Sequence, residues 1–303
     1  MWPRIFELRL EGRHIGLPTY GALVAIGFSV GLWLAARAAR RQQLPERDII
    51  DIGFWLLVAG LCGARLFYVA IHAADYTGEC LAARGPWRAL WDCTRALQVW
   101  EGGLVFYGGV LAAVPACVWL ARRRNLAFLR VADVLAPGLA IGHFFGRLGC
   151  FAAGCCWGKV CPSGFGARFP ARSVVFGELY ARGDIPWRAL ETPPLHPTQL
   201  YEAAGELFIF AWLARISTRK RFDGQVVLGY AAAYAGLRAI VEMFRGDEGR
   251  GFLWRLFTPG LNRVLGLDES SPTLLSTSQA VSLAALLLVV GLRHHLRGAY
   301  VTT

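Results

Sequence analysis

Apolar residues run in seven long stretches along the chain, at about 17–36, 49–72, 103–121, 129–149, 198–215, 224–244 and 276–292. Each approaches the roughly 20 residues that a helix needs to cross a bilayer's hydrocarbon, and several hold Gly or Pro, as membrane helices tolerate. The polar residues between them are distributed unevenly. Arg37, Arg40, Arg41 and Arg47 follow the first stretch, Arg122, Arg123, Arg124 and Arg130 the third, and Arg215, Arg219, Lys220 and Arg221 the fifth. The positive-inside rule assigns these three short loops to the cytoplasm. The alternate connections are longer and mix signs, as in Asp75, Glu79, Arg84, Arg88, Asp92, Arg95 and Glu101, which suits the outer side. The pattern predicts an all-α integral membrane protein of about seven transmembrane helices. Its N-terminus is expected outside, and its C-terminus, with Arg293 and Arg297, in the cytoplasm.

Residues 1–303 read as a single polytopic membrane domain, with irregular external segments at about 150–197 and 245–275. The first is rich in Gly, Pro, Cys and aromatics, and the second opens R-G-D-E-G-R-G. Trp157, Trp187 and Trp254 would suit a membrane interface there. The opening residues, M-W-P-R-I-F-E-L-R-L-E-G-R-H, carry charge and no apolar core, so they do not read as a cleavable signal peptide.

Composition sharpens this reading. The 303 residues are 55% hydrophobic and 17% charged, with mean hydropathy +0.41, against about 25% charged in soluble domains, which argues against a soluble globular enzyme. The net charge is +11, and Lys159 and Lys220 are the only lysines. Nucleic acid is nonetheless not an expected partner, because the arginines are divided among short loops where membrane topology accounts for them. The eight cysteines do not form a secreted disulfide pattern, since Cys62 and Cys117 lie inside apolar spans. Cys80 and Cys93 share one external loop and are a candidate pair.

Ionisable residues inside apolar spans are costly and mark function by default. With the orientation above, Arg147, Arg238 and Glu242 fall at the outer ends of spans four and six. Tyr20, Tyr107, His196 and Glu202 fall at or near the outer ends of spans one, three and five, and Arg65 and Tyr68 of span two approach the same level. Simple snorkelling to headgroups accounts for any one of these arginines. It accounts less well for the set, because Arg238 and Glu242 are i,i+4 neighbours able to pair on one helix face. Two fixed arginines at headgroup depth make a phosphate clamp, with an anionic lipid as the expected ligand.

Several ordered blocks resemble the bacterial prolipoprotein diacylglyceryl transferases. They are G-R-L-G-C-F-A-A-G-C-C-W-G at 146–158, G-G-L-V-F-Y-G-G at 102–109, V-A-D-V-L-A-P at 131–137, H-P-T-Q-L-Y-E at 196–202 and Y-A-G-L-R-A-I-V-E-M-F-R at 234–245. Tyr20 in P-T-Y-G and Arg65 in G-A-R-L-F-Y also fit. The resemblance spans about residues 15–290 and implies a seven-span enzyme of the bacterial inner membrane with its active site toward the outer face. Such an enzyme moves the diacylglyceryl group of phosphatidylglycerol to the lipobox cysteine thiol of a preprolipoprotein, forming a thioether and releasing glycerol phosphate. By motif, Arg147 and Arg238 hold the phosphate, Glu242 and Tyr234 share the catalytic helix, and Tyr20, Arg65, Gly158 and Arg245 belong to the lipid-binding set. No cofactor or metal is implied; the partners are phosphatidylglycerol, lipobox preprolipoproteins and membrane lipid.

The chain departs from the family at Tyr107, where relatives usually carry a histidine, and at Cys150, where some have Asn. Three readings of Tyr107 stay open: its hydroxyl orients a substrate, another residue such as His196 or Glu242 is the base, or the chain is a paralogue with altered chemistry. His143, Cys150, Cys155, Cys156 and Cys161 invite a metal reading, but the C-x4-C-C-x4-C run lacks the tight pairs of structural zinc sites. A Cys155–Cys161 or Cys156–Cys161 disulfide ranks above it, and free buried cysteines rank higher still. A non-catalytic anionic-lipid-binding protein and, more weakly, an anion transporter are the rival functions. The transporter would want repeats and a midplane site, and no convincing repeat is present.

Overall fold

The computed structural model describes residues 4–10, 13–82, 85, 93–98, 103–161, 166–171, 173–186, 188–246, 251–268 and 271–301, with side chains left out at 4–17, 79–82 and 297–301. Arg84, Arg88, Asp92, Glu101, Trp187 and residues 247–250 of R-G-D-E-G-R-G lie outside them, as does the Cys80 side chain. A hairpin of β1 (Arg4–Leu10) and β2 (Arg13–Pro18) leads into α1 (Thr19–Arg41), α2 (Glu46–Ile71) and α3 (Ala73–Ala82). After a 3-10 turn at Arg95–Leu97 come α4 (Phe106–Arg123), α5 (Phe128–Ala153), α6 (Val174–Arg182), α7 (Thr198–Ser217) and α8 (Gln225–Glu242). Then β3 (Phe252–Phe257), α9 (Pro259–Val264) and β4 (Pro272–Ser276) precede α10 (Thr277–Val301).

All seven apolar stretches are therefore helical. Among the described residues four helices, α1, α2, α5 and the Thr277–Leu296 part of α10, are long and apolar enough to cross a membrane, as expected of a multi-pass membrane protein. The charges that interrupt α7 and α8, Glu202, Glu206 and Arg215 on one and Arg238 and Glu242 on the other, make those two less apolar. Large side chains such as Phe208 (77% exposed) and Leu287 (66%) point outward, the inverse of a water-soluble surface. The two segments expected to be irregular, at about 150–197 and 245–275, both hold regular structure. Trp157, Phe169, Val175, Phe176, Leu179, Ile185 and Leu195 form an apolar core there, so Trp157 is buried at 3% rather than set out toward an interface. Trp254 of β3 is exposed. The second segment holds the antiparallel β3–β4 pair.

The chain divides into two compact units. Residues 36–132 form one. In it α2 and α4 meet where a Cβ on Gly63 would lie 2.5 Å from the Gly108 carbonyl, and one on Gly108 equally close to that of Gly63. Only glycine permits that backbone approach, a small-residue contact typical of membrane helices. Arg124 pairs there with Asp48 and Asp51, each at 3.2 Å.

The other unit, residues 1–35 and 133–303, contains the site. Its core joins Ala136 and Ala140 of α5, Ile209 and Leu213 of α7 and Val226 of α8. Fully buried Asp133 locks α5 to the start of α8. Its carboxylate accepts from the N–H groups of Gly224 (2.9 Å), Val226 (2.9 Å) and Val227 (3.0 Å) and from Lys220 Nζ (3.2 Å). The anion thus satisfies helix donors that would otherwise be orphaned and complements the helix dipole. Fourteen residues along α5, about 21 Å at 1.5 Å per residue, separate this clamp from Arg147.

Candidate functional site

Three helices each contribute two ionisable or polar residues spaced i,i+4, so each pair lies on one helix face. They are His143 and Arg147 on α5, Glu202 and Glu206 on α7, and Arg238 and Glu242 on α8. Arg147 Nη2 lies 2.8 Å from Glu202 Oε1. Arg238 Nη2 lies 2.6 Å from Glu242 Oε2, while its Nη1 reaches Glu202 Oε2 only at 4.0 Å. The Tyr234 hydroxyl, one turn before Arg238, donates to Glu202 Oε1 at 3.3 Å. Glu202 is 1% exposed, Glu206 and Glu242 are not exposed at all, and buried charges of this kind persist only as a paired set.

His143 completes the network. Arg147 Nε donates to its Nε2 at 3.2 Å, which assigns the ring proton to Nδ1, 2.7 Å from Glu206 Oε1. The ring also lies 5.1 Å from that of Tyr234, which stacks on Tyr230. From the first turn of α10, Ser278 accepts from Arg238 Nη2 at 3.4 Å, and Gln279 Nε2 donates to the Ala239 carbonyl at 3.3 Å. Arg238 Nη1 is buried and has no hydrogen-bond partner among the described residues. A ligand oxygen is what such a donor lacks.

The structure thus brings Arg147, Arg238, Glu242 and Tyr234 together, with Glu202 as the shared acceptor. Glu206 was not picked out from sequence, and His143 was grouped with the cysteines, although the same i,i+4 spacing marked both pairs. Tyr20 opens α1, half exposed. A Cβ on Gly149 would come within 2.9 Å of the Tyr20 ring, so glycine in the G-R-L-G motif lets the tyrosine lie against α5.

Gly158, His196 and Arg245 belong to a backbone junction beside this network. Gly158 N–H donates to the His196 carbonyl at 2.9 Å, His196 N–H to the Lys159 carbonyl at 2.9 Å, and Gly158 bridges Arg245. A side chain at 158 would strike the His196 and Phe244 carbonyls at 2.5 and 2.7 Å. His196 is 5% exposed, with Nδ1 3.1 Å from the Tyr201 hydroxyl and its ring against Phe244. Burial, reinforced by the Lys159 charge, pushes its pKa below the ordinary histidine value, against a weaker opposing hydrogen bond with the Gly266 backbone.

Arg65 and Tyr107 lie in the other unit. Arg65 is 4% exposed and caps the Arg95–Leu97 turn, donating to the carbonyls of Arg95 (2.8 Å), Ala96 (2.9 Å) and Gly103 (3.2 Å). The Tyr68 and Tyr76 rings lie 5.6 Å from its guanidinium. Tyr107, second residue of α4, is 51% exposed with its ring edge-on to Phe106.

Cys150, Cys155, Cys156 and Cys161 carry no disulfide, and neither Cys161 pairing forms, but only Cys161 is buried; the other three are partly exposed rather than buried as expected. Cys93 is disulfide-bonded. The Sγ atoms of Cys150, Cys155 and Cys156 all lie within 4.8 Å of one another, whereas His143 has turned to the ion-pair network.

Comparison with known proteins agrees with the motifs. The family model described as prolipoprotein diacylglyceryl transferase matches residues 8–294. Among similar proteins, a phosphatidylglycerol–prolipoprotein diacylglyceryl transferase of Finegoldia magna is 31% identical over 240 residues, covering 77% of this chain and 81% of that one. Proteins of the same name from Thermosynechococcus vestitus and Geobacter sulfurreducens are each 31% identical, over 79% and 86% of this chain and 81% and 90% of theirs.

Proposed function

Because the chain belongs to the prolipoprotein diacylglyceryl transferase family, we propose that it transfers the diacylglyceryl group of phosphatidylglycerol to the lipobox cysteine of preprolipoproteins, at the outer face of a bacterial inner membrane. One observation carries this reading: Arg147 and Arg238, from two helices, converge on a single buried carboxylate, Glu202, while Arg238 Nη1 keeps an unsatisfied donor. A phosphate oxygen can take that donor, and Glu202 and Glu242 hold the two guanidinium planes in place before the lipid arrives. Seven spans with the N-terminus outside would set these groups at headgroup depth, at the outer ends of α5 and α8.

The acceptor thiolate attacks the glyceryl carbon that bears the phosphate, a C–S bond forms, and the C–O bond breaks with its electron pair staying on the phosphate oxygen. Two guanidinium groups stabilise the charge that develops on the leaving group, the largest electrostatic demand of the step. Tyr234, donating to Glu202 at 3.3 Å, steadies the same carboxylate, and Tyr20, packed against Gly149 two residues after Arg147, would meet the headgroup. Of the proton acceptors considered, Glu242 is tied to Arg238, while His196 is held by Tyr201 through Nδ1 and its buried Nε2 has no side-chain hydrogen-bond partner among the described residues. This favours electrostatic generation of the thiolate over Glu242 as a dedicated base.

The test is transfer from radiolabelled phosphatidylglycerol to a synthetic lipobox peptide by the purified chain, beside the same peptide with Ser replacing its cysteine. Label on the cysteine peptide alone supports the assignment. Lipid binding without label on either peptide would replace it with a lipid-binding relative.

A further inference from the structure

We propose that Cys150, Cys155 and Cys156 form a three-thiolate site for a soft, closed-shell cation of the Zn2+ type, and that its open fourth position takes the acceptor cysteine. The fourth-ligand part rests on the transferase reading; the metal site itself does not.

The three Sγ atoms lie within 4.8 Å of one another. Zinc–sulfur bonds of about 2.3 Å place their sulfurs about 3.8–4.0 Å apart, so closure around an ion takes a shift of under an ångström. The backbone that carries the thiols is already fixed. Gln199 Nε2 donates to the Cys155 carbonyl at 2.6 Å and Thr198 Oγ1 to that of Cys156 at 2.8 Å, both from the buried first turn of α7. Cys156 itself has φ +59°, in the left-handed region that a non-glycine residue rarely adopts, two residues after Gly154 at φ +71°. The turn is held in an uncommon conformation with its thiol beside the other two.

The surroundings favour an anionic cluster. The guanidinium charges of Arg147 and Arg245 act on Cys156. Three thiols binding Zn2+ release three protons and leave a net charge of −1 for those arginines to offset. All three cysteines are partly exposed, which suits a site with a vacant position rather than a closed structural one. A fourth thiol entering there loses its proton on coordination. Its sulfur would then attack the glyceryl carbon as the C–O bond to the phosphate breaks, glycerol phosphate leaving with that electron pair beside Arg147 and Arg238, and the resulting thioether, a far weaker ligand, would dissociate. Cys150 stands three residues after Arg147 on α5, so acceptor and phosphate would be held on neighbouring turns. A thiol activated this way needs no histidine at position 107.

Full-length protein in detergent, stripped with chelator, would be titrated with Co2+ and followed by thiolate-to-cobalt absorption. One Co2+ per chain, displaced by Zn2+, is expected. Cys150→Ser, Cys155→Ser and Cys156→Ser should each weaken binding by about tenfold or more, and Cys62→Ser should not. A lipobox peptide should then shift the cobalt spectrum only when it carries its cysteine. Absence of the thiolate band, or a disulfide among the three in the untreated protein, overturns the site; a bound metal blind to the peptide thiol overturns its role. Transfer that persists after stripping and in the triple Ser variant also overturns that role while leaving the transferase intact. No transfer with or without Zn2+, but intact cobalt binding, overturns the transferase reading and keeps the site.

Discussion

Arg147 and Glu202 form a 2.8 Å ion pair between α5 and α7 whose carboxylate is 1% exposed, and Tyr234 of α8 donates to the same Oε1. One carboxylate therefore ties three helices at the level of the site. Removing a single partner from a buried pair strands a charge, at a cost of about 3–5 kcal/mol. Glu202→Gln should lower both the unfolding temperature in detergent and transfer, by about 100-fold or more if Arg147 loses its alignment. Full activity and unchanged unfolding would remove Glu202 from the site.

Arg238→Lys separates charge from geometry. Lysine keeps the positive charge but replaces a planar fork by a single ammonium, so its donors all radiate from one point and cannot span Glu242 and a phosphate oxygen as two separated guanidinium nitrogens do. Loss of about 100-fold in transfer is expected, the scale of removing one charge-stabilising donor, with folding retained. Labelled-lipid transfer beside circular dichroism reads both. A lysine variant near the parent rate would show that charge alone suffices.

The helices over the seven apolar stretches were legible because an apolar run is a local property, and the Arg238–Glu242 pair because i,i+4 spacing is too. The same spacing marked His143–Arg147 and Glu202–Glu206, yet it does not say which helices meet. That Glu202 is shared, and that His143 faces Glu206 rather than the cysteines, depends on contacts between α5 and α7 that no single stretch encodes. Arg65 was equally opaque, since carbonyl partners such as those of Arg95 and Ala96 leave no side-chain signature. The β3–β4 pair escaped notice because its strands are short, irregular in register and without clean alternation.

Tyr107→His tests the departure from the family at the start of α4. The side chain is 51% exposed, so the exchange should cost little stability, within about 0.5 kcal/mol for a surface position. Activity at or above the parent rate is expected. Tyr107→Phe should change transfer less than about threefold if the hydroxyl is not part of proton transfer; a loss as large as that of Arg238→Lys would make the hydroxyl essential.

His196 sets a pH limit on stability. Its folded-state pKa lies below that of the unfolded chain because the ring is buried beside Lys159. The unfolded state therefore binds the proton first as pH falls, and the folded state loses ground from about pH 6.5, the ordinary histidine value, down to the depressed one. Above that window the contribution is fully present. Unfolding temperature measured in detergent should fall on acidification through this range, and His196→Gln should flatten that part of the profile while leaving the neutral-pH slope unchanged. A variant with the parent's full acid dependence would assign the effect to the buried carboxylates instead.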